Sequence, residues 1–307
     1  MPAAIGLLQI LLIGLAAFWL WLVVHTVLAL TRPPRRTYAW ALAKNIPGDP
    51  GECDEAFTFE AFTFRGRHGE IDCWRVRGAK PDGPVVVMTH GWGSSRQGGL
   101  KRLAGVVPEA SEALLWDLPG HGDSPGRCQL GTGEHLDLCA LIETIESTRP
   151  IILYGWSMGA GISLRAARDL NTQMSIACVL CEAPYIEAIT PARNVIRLQG
   201  FPTRVNLRPA FVWLGLRSGL GPRWAGFARD QIAAGLDQTP VVVLHGEHDP
   251  VCPWTDGEQI VKAAPVGRFE LIEEGGHNNL WTDPRFRDRS ISIVRGVIGG
   301  ASSAESA

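Results

Sequence analysis

Ser157 stands in the run Gly155-Trp156-Ser157-Met158-Gly159, directly after the apolar, β-prone Ile151-Ile152-Leu153-Tyr154 and directly before a helix-forming stretch at 160–170. A strand, a G-x-S-x-G turn and a helix in that order describe a nucleophile elbow, where a strained turn holds a serine hydroxyl exposed above a parallel sheet. The pattern needs its context, and this chain carries a second match, Gly122-Asp123-Ser124-Pro125-Gly126, that lacks it. The residue after the nucleophile must donate its backbone N–H to an oxyanion, and Pro125 has none. Nor does a buried strand run into that match. Met158 has the N–H, and small Gly159, Ala160 and Gly161 let a helix approach the sheet. Ser157 is therefore the expected nucleophile and Met158 one expected oxyanion donor, whereas Ser124 is expected to hold the loop 117–124 by local hydrogen bonds.

A serine hydroxyl is a weak nucleophile at neutral pH. It needs an imidazole to take its proton and a carboxylate to fix the imidazole tautomer. Pro240-Val241-Val242-Val243-Leu244 reads as a buried strand running into a turn that carries Asp249; Arg268-Phe269-Glu270-Leu271-Ile272 reads as the next strand, followed by Gly275-Gly276-His277. Both residues fall at the C-terminal ends of successive strands, the edge where open α/β sheets place their sites. Asp249 is thus the expected acid and His277 the expected base. Asp249 also suits a plain turn role before Pro250, so Glu182, ending the strand at 177–181, is held as the reserve acid. His90 and His121 read as structural, and His245 and His248 as supports flanking the acid turn. A second oxyanion donor has to come from the loop after an earlier strand. Val85-Val86-Val87-Met88-Thr89 followed by His90-Gly91-Trp92-Gly93 assigns it to the Trp92 backbone.

With His90-Gly91-Trp92, Asp117-x-x-Gly120-His121-Gly122-x-Ser124, Gly155 to Gly159, Gly246-x-x-Asp249-x-x-Cys252-Pro253 and Gly276-His277 in this order, the chain resembles the α/β-hydrolase superfamily, within it the serine-aminopeptidase and monoglyceride-lipase-like group. The resemblance covers about 57–296. It implies an α/β-hydrolase fold: a mostly parallel central sheet, helices on both faces, and a small helical cap at about 185–237. It also implies a serine hydrolase acting on carboxylic esters, including lipid or acyl-thioester substrates. A peptidase or amidase with the same triad is the alternative, because a fold cannot set the scissile bond; a catalytically silent membrane-tethered scaffold is disfavoured by the full set of catalytic positions. Relatives that use an aspartate nucleophile are excluded by Ser157. The cap's apolar residues suit either an acyl-binding roof or core packing.

Of the 307 residues 46% are hydrophobic and 20% charged, enough for one substantial core. A net charge of −2, with no basic cluster beyond residues 32–36, argues against nucleic acid as a partner. No phosphate-binding loop or metal-ligand spacing stands out, so no cofactor and no metal are implied. Cys178 and Cys181 lie in one strand pattern on alternate faces, which favours core packing over metal or redox work. Seven cysteines without framework spacing suit a reducing compartment.

Residues 1–31 carry no charged side chain, and 5–30 are almost wholly apolar. That exceeds the ~20 residues needed to span a bilayer and the roughly 7–15 of a signal-peptide core, and no basic residue precedes it. The expectation is a single-pass membrane anchor at 1–31. Arg32, Arg35, Arg36 and Lys44 follow it, which places the hydrolase domain on the cytoplasmic side. A juxtamembrane linker at 32–56 follows, broken by Pro33-Pro34 and holding a short interfacial helix at 38–45. Then come the hydrolase domain at 57–298, opening on antiparallel strands at 57–64 and 71–76, and a disordered tail at 299–307. Partners expected are a small-molecule or lipid ester and the membrane; the sequence sets neither the acyl length nor the oligomeric state.

Overall fold

The computed structural model describes residues 2–146, 148–170, 174 and 176–303. Its centre is one eight-stranded sheet in the order β1-β2-β4-β3-β5-β6-β7-β8. The strands are β1 (Phe59–Gly66), β2 (Gly69–Arg77), β3 (Val85–Thr89), β4 (Glu112–Trp116), β5 (Ile151–Trp156), β6 (Ile176–Glu182), β7 (Val241–Gly246) and β8 (Gly267–Ile272). β1 and β2 form an antiparallel hairpin, and β2 meets β4 antiparallel; every pair from β4 to β8 is parallel. β3, β5 and β7 are buried at every position. Their unbroken apolar runs are what strands covered on both faces require.

Ten α-helices accompany the sheet among the described residues: α1 (Pro2–Thr31), α2 (Tyr38–Lys44), α3 (Leu103–Val106), α4 (His135–Glu143), α5 (Met158–Leu170), α6 (Ile189–Leu198), α7 (Leu207–Arg217), α8 (Arg229–Ala233), α9 (Trp254–Ala263) and α10 (Pro284–Ser303). α3 and α10 pack on one face; α4, α5, α8 and α9 pack on the other. The two faces bury separate apolar clusters. Cys178 belongs to one cluster and Cys181 to the other, as strand alternation dictates. α6, α7 and α8 form the insertion between β6 and β7.

Three boundaries depart from the sequence reading. The first hairpin runs on to Gly66 and Gly69, so its first strand is shifted two residues along the chain and its second is longer than the apolar pattern alone marked. α10 continues through residues 299–303, which were expected to be disordered, despite the poor helix propensity of Gly299 and Gly300, and residues 304–307 of that tail lie outside the described residues. The third departure concerns α1. Most of it is exposed, but its last turns dock on the domain, burying Val27 and Leu30. Asn206 donates to the Thr26 hydroxyl at 2.7 Å, Trp19 Nε1 donates to the Val205 carbonyl at 2.9 Å, and Trp92 Nε1 donates to the Leu30 carbonyl at 2.8 Å. Leu30 lies in the last turn of a helix whose final carbonyls have no intrahelical partner, so an indole N–H satisfies one of them.

Candidate active site

Ser157 joins β5 to α5 with φ 53°, a left-handed conformation that costs a non-glycine residue energy and persists only where its surroundings impose it. Three contacts impose it here. The Ser157 N–H donates to the Glu182 carbonyl at 2.8 Å, tying the turn to β6. A Cβ on Gly155 would lie 2.3 Å from the Gly159 carbonyl oxygen, and one on Gly159 would lie 2.0 Å from the Thr89 carbonyl oxygen. Neither position has room for a side chain, which accounts physically for both glycines of the motif.

Asp249 sits in the turn after β7 and His277 in the loop after β8, and the structure brings them together: His277 Nδ1 is 2.6 Å from Asp249 Oδ2. The other carboxylate oxygen accepts the backbone N–H groups of Val251 and Cys252 at 2.7 and 2.8 Å. The turn role and the pairing with histidine are therefore filled by the same side chain. His245, wholly buried, lies 3.4 Å from Asp249 Oδ2 and 3.0 Å from the Cys252 carbonyl. Burial alone would raise the carboxyl's pKa, but the hydrogen bonds with His245 and His277 and the Cys252 N–H outweigh it and hold Asp249 well below the usual carboxylate range. His248, by contrast, points to solvent beside Glu247.

Ser157 and His277 both open into one cavity of about 260 Å³. Ser157 Oγ lies 3.9 Å from Cys252 Sγ, and no hydrogen bond joins it to His277 among the described residues. Catalytic hydrogen bonds are often unmade without substrate. Trp92 and Met158 line the same cavity, and neither backbone N–H donates to a protein acceptor among the described residues. Leu130, Tyr185, Ala188, Pro191, Val195 and Val251 supply apolar wall, and Arg36 and Lys101 a basic edge. Burial brings the Lys101 ammonium down to about 8. Ligand atoms of Asp249, Cys252 and His277 also lie within 4.8 Å of one another, a grouping that sequence spacing does not reveal. Burial pushes the Cys252 thiol well above its ordinary pKa, which opposes the thiolate a metal requires.

The reserve acid is engaged elsewhere. Glu182 accepts from Arg102 Nε at 2.8 Å and Nη2 at 2.5 Å, from the Tyr154 hydroxyl at 2.7 Å and from Trp281 Nε1 at 2.9 Å, all buried. Burial opposes its charge, but Arg102 and these hydrogen bonds hold its pKa below the ordinary value. The Arg102 guanidinium in turn lies 4.0 Å from the Trp156 ring, one residue before Ser157. His90 and His121 stack edge to face with ring centroids 5.0 Å apart, and His90 Nε2 accepts the Leu118 N–H. Ser124 is fully buried; its hydroxyl accepts the Asp72 N–H at 3.3 Å, so it fastens the loop to β2 as well as within itself. Sequence reasoning missed Leu30 and Arg36 as cavity residues and Cys252 as the neighbour of Ser157. Leu30 and Arg36 lie over 100 residues from the elbow, and no local signal announces such a contact.

A parallel-sheet core with a serine elbow after its fifth strand and an Asp–His pair beyond its seventh and eighth strands defines a hydrolase of the α/β class. The chain belongs to the alpha/beta hydrolase family, which it matches over residues 85–287. Among proteins it resembles is the lysophosphatidylserine lipase ABHD12 of Rattus norvegicus, 23% identical over 216 residues, which are 69% of this chain and 53% of that one. The chain spans about half the length of the curated relatives it matches. Its fold is that of an esterase from Pyrococcus furiosus, with a TM-score of 0.65 at 19% identity over 87% of this chain and 97% of that one. A membrane phospholipase A described as a bacterial virulence factor shares the fold over 97% of this chain and 98% of its own, with a TM-score of 0.57 at 16% identity.

Proposed function

We propose that this protein is a membrane-anchored serine hydrolase that cleaves carboxylic esters of lipids through Ser157, His277 and Asp249. The observation that carries the reading is the 2.6 Å Asp249–His277 pair opening into the same cavity as a serine held at positive φ. Asp249 fixes the imidazole with Nδ1 protonated, leaving Nε2 to accept a proton. The Ser157 hydroxyl turns from Cys252 toward Nε2, gives up its proton and attacks the ester carbonyl. The free N–H groups of Trp92 and Met158 receive the charge on the carbonyl oxygen. His277 returns the proton to the departing alcohol, leaving an acyl-serine. A water then attacks with His277 again as base, releasing the carboxylic acid and restoring Ser157.

The apolar cavity wall and the exposed apolar helix α1 support an acyl chain as the group bound. α1 contains a 27-residue span, Ile5–Thr31, of mean hydropathy 2.5. With Arg32, Arg35 and Arg36 after it, the domain faces the cytoplasm, and a reporter fused after Ala307 should behave as cytoplasmic. Within the family, the sequence motifs favour a resemblance to the serine-aminopeptidase and monoglyceride-lipase-like group. The test uses full-length protein in detergent against p-nitrophenyl esters of rising chain length and aminoacyl anilides. Ester turnover that favours longer acyl chains is expected; turnover of anilides without esters would move the reading to a peptidase.

A further inference from the structure

The insertion between β6 and β7 has a charge pattern unlike the rest of the chain. Residues 188–228 contain six arginines and no Lys, Asp or Glu, a local +6 in a protein whose total is −2. Arg197, Arg204, Arg208, Arg217 and Arg223 are exposed, and among the described residues none pairs with a carboxylate. The same stretch leaves large apolar side chains uncovered, among them Leu198 at 65%, Phe201 at 48%, Val205 at 54% and Leu216 at 59% exposure. Such a surface suits neither a protein core nor ordinary solvent contact.

Helix α7 shows how the two properties combine. One side buries Leu207, Ala210, Phe211 and Leu214; the other presents Val212, Trp213 and Leu216. At ~100° per residue, Arg208 and Arg217 fall on the two borders of that exposed apolar stripe. The Arg217 guanidinium lies over the Trp213 ring at 5.0 Å. An apolar stripe edged by arginines is the build of a helix lying in a membrane interface, its apolar face among acyl chains and its guanidinium groups at the phosphates.

The position of this surface relative to α1 supplies a second observation. The loop before α7 touches α1 at three levels: Val205 at Trp19, Phe201 at His25 with ring centroids 5.4 Å apart, and Asn206 at Thr26. A bilayer core takes ~20 residues of helix. Counted from Ile5, where the apolar span begins, the core ends near Val24, level with these contacts.

We propose that residues 199–206 and the outer face of α7 are seated in the headgroup layer of the bilayer that holds α1, with the cap arginines pairing with anionic lipid phosphates. This rests on the reading of α1 as a membrane span. Seating the cap there sets α6, which supplies Pro191, Ala192 and Val195 to the catalytic cavity, beside the lipid from which an ester substrate would come.

The test uses the full chain reconstituted in phosphatidylcholine vesicles with or without 30% phosphatidylglycerol, in a Cys53→Ser, Cys139→Ser background. An environment-sensitive fluorophore is placed on Leu216→Cys, on Ile10→Cys in α1, or on Asp82→Cys before β3, and quenched by spin-labelled lipid. Quenching at Leu216 well above that at Asp82, and stronger with phosphatidylglycerol, is expected. Quenching at Ile10 with Leu216 as dark to the quencher as Asp82 would overturn the proposal while leaving the anchor intact. No quenching at Ile10 would overturn the anchor reading and this proposal with it. In a second arm, Leu216→Glu should raise the apparent KM for a long-chain ester in vesicles several-fold and leave p-nitrophenyl butyrate turnover unchanged. An equal loss on both substrates, or self-association of the protein through this face in place of lipid contact, would also refute it.

Discussion

Glu182→Gln separates a structural carboxylate from a catalytic one. Glu182 ends β6 and Asp249 sits in the turn after β7, and both are held ionised, but their surroundings differ. Glu182 receives four hydrogen bonds from Arg102, Tyr154 and Trp281, and its Arg102 partner is buried with it. Replacing the carboxylate with an amide leaves a buried guanidinium without its counter-charge, and breaking a buried pair in this way costs about 3–5 kcal/mol. For a domain of this size that corresponds to a fall in Tm of roughly 6–20 °C. The turn itself survives, because Ser157 is tied to the Glu182 backbone carbonyl and not to its side chain. Well below the lowered Tm, kcat on a soluble ester should therefore stay within about tenfold of wild type. Asp249→Asn should do the reverse, lowering kcat on the order of 10⁴-fold through the wrong histidine tautomer. Calorimetry and initial rates on both variants decide it. A stable Glu182→Gln protein that has lost activity by orders of magnitude, beside an active Asp249→Asn, would refute the assignment of the acid.

Three further outcomes follow from the same geometry. A fluorophosphonate probe should label wild type and Ser124→Ala but not Ser157→Ala, with the site mapped by mass spectrometry; label on Ser124 in a folded Ser157→Ala protein would reverse the assignment. Burial lowers the His121 pKa to about 4, so its contribution to stability is complete above the ordinary imidazole value and lost as pH falls from about 6.5 toward 4, roughly 3 kcal/mol in all. Asp117, raised by burial to about 6, acts oppositely over pH 4–6, so the His121 effect is read as the difference in denaturant stability between wild type and His121→Asn, which should shrink with acid. Trp92→Phe removes the 2.8 Å bond to the Leu30 carbonyl and should lower kcat by roughly five- to tenfold, the equivalent of one hydrogen bond of about 1 kcal/mol. An unchanged kcat would show that the oxyanion loop holds its shape without α1.

The core was legible because parallel strands covered on both faces leave continuous apolar runs, as at Val85–Thr89 and Val241–Gly246. The elbow was legible because backbone crowding at Gly155 and Gly159 demands glycine, and Pro125 marked the rival motif as unable to donate. What the sequence hides is partnership across distance. Nothing near Glu182 names Arg102, 80 residues away, and nothing near Thr26 names Asn206, 180 residues away. Net charge hides as well: a total of −2 averages away the uninterrupted arginines of residues 188–228.

Leu30 belongs both to the last turn of the apolar helix and to the wall of the candidate catalytic cavity. On the reading of α1 as a membrane span, the stretch from Ile5 to Val24 extends about 30 Å and matches the roughly 30 Å of bilayer hydrocarbon, so in a thinner or thicker membrane the helix must tilt or deform the lipid around it. Its domain end is pinned at Thr26 and at the Leu30 carbonyl, so a tilt is felt at Trp92. Hydrophobic mismatch thereby becomes a variable of the cavity: the same chain in a thinner or thicker membrane would present Ser157 with a differently shaped wall.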